Sequence, residues 1–396
     1  MLELLLFVLA GCILGIITGL VPGLHSNTVS FILVAFAATQ DFNVALAVVA
    51  MNVVQAFVDF VPNIMIGAPD SGNFVGVLPG HYFFLRGEGL YAIRLAIAGG
   101  IIAVLASVPV AAILFLFLVQ AEDFFVALMP ALLAVVLGIM VMNGKDARKK
   151  LFSLCVVLMS GILGIIALRS VNFGDALFPL ITGFFGAAGI LYSMNSNESG
   201  IAQEDIAKRI DASKITVMGL IGVVAAGLIS IMPSIGPNQA AVIAKEIRGG
   251  VKKDEFLLMA GSIAVANVLF GIVVLFALGK IRSGAAAAVR ELSGLGFEQM
   301  ILIFAVAILA AGIGAFSAEV LGSWVSGKIR KINYNVINSA VMVFMVAAVF
   351  ALNGIIGLLI LLASTAIGIF AVSTKTNRSC CMACLMFPTI LFYLGI

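Results

Sequence analysis

Two short loops carry residue types that handle charge inside an apolar environment. Leu20-Val21-Pro22-Gly23-Leu24-His25-Ser26-Asn27 and Ile231-Met232-Pro233-Ser234-Ile235-Gly236-Pro237-Asn238 each interrupt a long apolar segment. Pro22 falls on Pro233 and Asn27 on Asn238 at one constant offset. A helix broken by Pro and Gly at membrane depth exposes backbone dipoles, and a pair of such breaks in corresponding halves marks a binding site. The loops therefore nominate Pro22, Gly23, Ser26, Asn27 and Thr28 in the first half. Pro233, Ser234, Gly236, Asn238 and Gln239 are their counterparts in the second. Backbone N–H groups at a helix start attract an anion, while Asn27, Asn238, Ser26, Thr28 and Gln239 offer hydrogen bonds to it. Asn is also a favoured N-cap, so simple capping of the returning helix is the competing role of Asn27 and Asn238. His25 titrates near neutral pH and is suited to proton coupling. Gly236 stands in its place in the second loop, so that role is not shared by the halves.

A second constellation lies on the apolar run 44–66. Asn52, Gln55, Asp59 and Asn63 fall at helical spacings that place them near one face. An intramembrane carboxylate on a polar stripe is by default functional, here as a site for Na⁺ or H⁺ coupling; the competing reading is a solvated Asp59 at the membrane interface. Asn267 pairs with Asn52 at an offset a few residues longer. Each helix then runs into a loop of small polar residues, Gly67 to Asn73 with Asp70 and Ser71, and Gly279 to Gly284 with Arg282. Asp70 can hold a cation or orient its loop. Arg86 and Arg282 are forks suited to carboxylate or phosphate, although anchoring at the cytoplasmic interface accounts equally well for Arg86.

These residues need an apolar scaffold, and composition supplies one. Of 396 residues, 63% are hydrophobic and 10% charged, with a mean hydropathy of +1.23. No soluble domain hides so much apolar surface, so the chain is an all-α polytopic membrane protein. Apolar runs predict about 10–12 membrane helices. The run 27–38 is too short to span, and the segment after Met232 is small and polar, so each reads as the returning arm of a re-entrant hairpin. Clusters such as Lys145 to Lys150, Lys208 to Lys214, Lys245 to Lys253, Lys328 to Lys331 and Lys375 to Arg378 mark cytoplasmic loops. Thr39 to Asn43 and Gln120 to Asp123 read as loops of the opposite face. Threading the spans between these points inverts the second hairpin relative to the first. The expected organisation is two inverted-topology repeats, 1–193 and 215–396, each opening with a Pro/Gly hairpin, joined by a cytoplasmic connector at 194–214.

Other classes fit poorly. A net charge of +3, in clusters that read as topology signals, gives no nucleic-acid surface. The two histidines, His25 and His81, lie in no hydrolase motif, so no enzyme is expected. Cys380, Cys381 and Cys384 lack the partners for a four-ligand metal site and read as small apolar residues at a helix end. The N-terminus reads as a retained first helix, with no basic segment or cleavage site. Neither metal nor cofactor is expected, apart from Na⁺ or H⁺ as coupling ion.

Gly19-Leu20-Val21-Pro22-Gly23-Leu24, then Ile66-Gly67-Ala68-Pro69-Asp70-Ser71-Gly72, then Leu78-Pro79-Gly80-His81 with Arg86-Gly87-Glu88-Gly89, resembles the large membrane subunit of the tripartite tricarboxylate transporters, the TctA family, in its shorter archaeal form. The likeness is strongest over 10–100 and is echoed at 227–290. It implies a multi-pass permease of the cell membrane for carboxylate anions, driven by an ion gradient. It also implies a small membrane subunit and an extracytoplasmic binding protein as partners. His25-Ser26-Asn27-Thr28 departs from the family's glycine-rich stretch, and a Pro-Gly hairpin followed by small hydroxyl residues also resembles proteins proposed to return polyprenyl-phosphate carriers across the membrane. A lipid-phosphate translocase is therefore the alternative expectation.

Overall fold

The computed structural model describes residues 2–21, 26, 29–30, 33, 41–67, 74–144, 146–169, 176–194, 203, 211–230, 236–281, 283–292, 296–329 and 334–395. The first half contains α1 (Leu2–Leu20), α2 (Phe42–Val58), α3 (Phe60–Met65), α4 (Phe74–Phe84), α5 (Gly89–Met142), α6 (Ala147–Arg169) and α7 (Leu177–Ile181). A π-turn (Thr182–Ala187) leads into α8 (Ala188–Met194). The second half contains α9 (Ala212–Ser230), α10 (Pro237–Arg248), α11 (Lys253–Leu278), α12 (Gly284–Leu292), α13 (Phe297–Ile329) and α14 (Tyr334–Ser373), then a 3₁₀ turn (Arg378–Met382) and α15 (Ala383–Tyr393).

Eight of these segments are long and apolar enough to cross a membrane, and three shorter apolar helices, 127–142, 177–191 and 378–393, accompany them. Two are central. Of the residues in the apolar stretch of Phe42–Met65, 94% are buried, and in that of Lys253–Leu278, 78%, against 33% to 39% in the other six. Both central segments are largely apolar around their circumference, as helices enclosed by other helices must be, apart from the buried polar stripe of Phe42–Met65.

Small residues set how the outer helices approach. Gly11, Gly15 and Gly19 recur every fourth residue of α1 and turn a side-chain-free stripe to α2. A Cβ at Gly15 would stand 2.6 Å from the Met51 carbonyl oxygen. On α9, a Cβ at Gly222 would stand 2.8 Å from the Met259 carbonyl, and Ser262 Oγ donates to Gly219 O at 2.6 Å. The central α11 and α5 meet reciprocally, Gly99 against the Leu258 carbonyl and Gly261 against the Ala96 carbonyl. In lipid, where apolar burial between helices brings little gain, such close backbone packing supplies the association energy. α13 covers α2, and α15 lies on α6 with Cys384 against Gly164.

One segment differs from the sequence reading. Gln120 to Asp123, expected as a loop, lies within the continuous α5, because residues 117–126 contain neither Gly nor Pro and the backbone stays helical. The long α14 is bent at Gly354, whose φ of 61° and ψ of −154° suit only glycine. The π-turn separates α7 from α8.

Candidate functional site

The break between α2 and α3 follows from Pro62, which has no N–H to give the Val58 carbonyl one turn earlier. Asp59 occupies the junction. It is 3% exposed, and Asn63, fully buried, donates from Nδ2 to Asp59 Oδ1 at 2.8 Å. Burial excludes a solvated Asp59 at the membrane surface. One turn before Asp59, Gln55 is also buried, and among the described residues its Oε1 has no hydrogen-bond partner. An orphaned buried acceptor costs about 1–3 kcal/mol. Retained beside a carboxylate, it is a donor set for a hard cation, which prefers oxygen ligands.

Asn52 does something else. Its Nδ2 donates to Ser30 Oγ at 3.2 Å and to Val48 O at 2.8 Å, while Ser30 Oγ donates to Ser26 O at 2.7 Å. Ser26 and Ser30, in the stretch after the first Pro-Gly pair, are buried. Asn52 therefore ties that stretch to α2, and both hydrogens of its amide are used in doing so. Its expected partner Asn267 is half-buried. Asn52 lies fifteen residues before Gly67 and Asn267 twelve before Gly279, two glycines that end the central helical segments in the left-handed region (φ 69° and 66°).

In the second loop, Gly236 is the N-cap of α10 and Pro237 its first residue. Gln239 Oε1 accepts from Gly236 N at 2.9 Å, the reciprocal half of a capping box. Asn238 is thus not the cap, contrary to the capping alternative. Asn238 and Gln239 are both buried, 5% exposed each. The expected site residues Pro22, Gly23, His25, Asn27, Thr28, Asp70, Ser71, Pro233, Ser234 and Arg282 lie outside the described residues.

Arg86 is exposed on the turn after α4, and its Cζ lies 4.3 Å from the centre of the Tyr82 ring. Gln203, in the stretch between the halves, clamps this turn by accepting from Gly89 N and donating to Phe84 O, each at 2.9 Å. The second small-residue loop leads into α12, where Ser283 Oγ accepts from Ala286 N at 3.1 Å, and α12 packs on α2.

Two contacts carried no local sequence signal. Arg94 of α5 pairs with Glu319 of α13 at 2.7 Å, although 225 positions separate them. Half-buried His81 Nδ1 donates to Ile64 O at 3.2 Å and its ring stacks on Phe84 at 5.2 Å. Desolvation lowers this imidazole to about 4. Among the described residues no three His, Cys, Asp or Glu side chains gather as a metal site.

The chain is 27% identical over 398 residues to an uncharacterized protein of Methanocaldococcus jannaschii, covering 98% of this chain and 99% of that one. No solved structure matches it. A family model matches residues 5–383, nearly the whole of this multi-pass membrane protein, and by it the chain belongs to the tripartite tricarboxylate transporter TctA family.

Proposed function

We propose that the chain is an ion-coupled permease for a di- or tricarboxylate, with the anion held where the two Pro/Gly loops meet and the coupling ion at Asp59. One observation carries the ion site: a buried carboxylate and the orphaned Gln55 oxygen share a face of the most buried membrane segment, at a helix break. Intramembrane ionisable groups of this kind mark ion pathways. The anion is supported by family membership and by buried Asn238 and Gln239 at the N-terminal end of α10, where the helix dipole favours negative charge.

Alternating access is read from two inverted repeats, 1–193 and 215–396, linked by 194–214. Gly11 on Ala47 and Gly222 on Met259 repeat one contact at the offset between the two loops, to within one residue. The left-handed Gly67 and Gly279 recur at an offset one residue longer than that of the loops. Each half also crosses over, α5 packing on α11 and α13 on α2, so rocking one repeat on the other changes access to whatever lies between them. A small membrane subunit and an extracytoplasmic binding protein complete the system as the family's tripartite name implies.

The test is thermal stability of the purified protein against di- and tricarboxylates and short polyprenyl phosphates, with and without Na⁺. Ligand at a hundred times its Kd adds about 2.7 kcal/mol. Stabilisation by carboxylate that grows with Na⁺ is the expected result. A response to polyprenyl phosphate alone overturns it in favour of a lipid-carrier translocase.

A further inference from the structure

Beside the turn that carries Arg86 lies a cavity of about 340 Å³, bounded by Tyr82, Phe185, Lys245, Lys252, Lys253 and Ser379. Its volume falls in the range of about 300–1,000 Å³ found for small-molecule sites. Three lysines line it, drawn from the end of α10 and the start of α11. Lys253 Nζ sits 2.9 Å from the centre of the Tyr82 ring, and Arg86 Cζ sits 4.3 Å from the same ring. Two cations therefore converge on one aromatic ring whose negative faces attract each, while the like charges repel one another.

Carboxylates lie in the same stretches, Glu88, Glu246, Asp254 and Glu255, and Glu246 and Glu255 already have partners. The Lys245 ammonium is 3.8 Å from Glu246 Oε1, and Glu246 is also engaged by Asn143 Nδ2 at 2.6 Å. Glu255 is turned to the backbone N–H of Lys252, which it caps at 3.1 Å. A multivalent anion would relieve the crowding of Lys245, Lys252, Lys253 and Arg86. Ser379 adds a hydroxyl, and Phe185 comes from the π-turn, a departure from α-helical geometry that recurs at functional sites.

The cavity is joined to the second loop by one rigid element. Lys245 lies seven residues beyond Asn238 on α10, a rise of ~10 Å. All the cations of the cavity belong to loops that the excess of Lys and Arg assigns to the cytoplasm.

We propose that this cavity is a second anion station, where a di- or tricarboxylate that has left the paired loops is held by Lys245, Lys252 and Lys253 before release to the cytoplasm. The proposal rests on the carboxylate permease reading. It adds a site the paired loops do not include.

The test measures bound radiolabelled citrate per chain at saturation, in nanodiscs of neutral phosphatidylcholine. K252Q/K253Q should lower bound citrate by about half, as should Asn238→Ala by emptying the other site. K252R/K253R, which keeps the charge, should retain the wild-type amount, and melting curves show whether the glutamine variant is folded. Wild-type binding unchanged in folded K252Q/K253Q overturns the second station and leaves the permease reading standing. No citrate bound by the wild type overturns both. In discs containing phosphatidylglycerol, continued citrate binding at the cavity supports the proposal. Retention of phosphatidylglycerol that depends on the two lysines, with citrate excluded, assigns the cavity to a lipid phosphate and overturns it.

Discussion

Arg94 donates from both Nε and Nη2 to a single oxygen of Glu319, at 2.9 and 2.7 Å, and so ties α5 to α13 across the two halves of the chain. The side chains are 32% and 37% exposed, which makes this a partly screened pair worth about 1 kcal/mol or less to stability. Its geometric role is larger. α5 packs on α11 while α13 packs on α2, so any rocking of one half against the other changes the Arg94–Glu319 distance. Arg94→Gln and Glu319→Gln should each shift the melting temperature little but reduce citrate uptake into proteoliposomes severalfold. The exchanged pair, Arg94→Glu with Glu319→Arg, should recover part of it. Uptake unaffected by either single change would show that the pair does not report on the moving interface.

Gln55 separates a structural from an ion-binding role. If Oε1 were only an imperfection, Gln55→Leu would relieve a burial cost of about 1–3 kcal/mol and nothing else. As a cation donor it carries a second effect. Gln55→Leu should leave the protein as stable as wild type or more so without Na⁺, yet abolish the rise in melting temperature that Na⁺ produces. Asp59→Asn should abolish that rise as well. A Na⁺ response intact in both variants would move the coupling site elsewhere.

Much of this arrangement was legible in the chain and some was not, for reasons that differ by residue. The stripe Asn52, Gln55, Asp59 and Asn63 follows from helical spacing on an apolar run, and all four are buried. Its division of labour does not follow. Asn52 acts as a clamp because Ser30, 22 residues earlier, folds back on it. Likewise Pro237 fixes the first position of α10, which makes Gly236 the cap and Asn238 the second residue of the helix. Arg94 and Glu319 find each other only through the crossover of α5 and α13, which no local pattern encodes. The lysines at 245–253 read as topology signals, since their convergence with Tyr82 depends on three separate elements.

The reciprocal contact of Gly99 with Leu258 and Gly261 with Ala96 leaves no room for a side chain, because the opposing atoms are backbone carbonyls. Gly99→Ala and Gly261→Ala should each destabilise the detergent-solubilised protein by about 1–3 kcal/mol, as overpacking does. The double variant should cost less than the sum, since one helix displacement relieves both clashes. Gly138, whose Cβ would meet nothing within 4 Å, serves as the control, and Gly138→Ala should be neutral. Fluorescence-detected size-exclusion melts read all four.

His81 provides a pH test with a definite sign. Its Nδ1 must carry the proton, because the Ile64 carbonyl only accepts, and desolvation holds the ring neutral down to about 4. The unfolded chain takes up this proton near the ordinary value of about 6.5. Between those values the unfolded state binds more protons, so the contribution of His81 is present above about 6.5 and is lost as pH falls toward about 4. Melting temperature should fall over that window, and less steeply in His81→Asn. A change in uptake centred near neutral pH should be the same in wild type and His81→Asn, because folded His81 does not titrate there.

Asn238 and Gln239 are neighbours with separable tasks. Gln239 Oε1 satisfies Gly236 N at the start of α10, so Gln239→Ala should lose a cap worth about 0.5–2 kcal/mol and lower the melting temperature. Gln239→Glu keeps an acceptor in the same place and should restore most of that stability, with its added charge opposing an incoming anion and weakening citrate affinity. Asn238 does not cap the helix. Asn238→Ala should therefore abolish uptake while the protein still expresses and folds. If Asn238→Ala instead transports normally while Gln239→Ala fails in both stability and uptake, the loop contributes only a correctly started helix and the anion is recognised elsewhere.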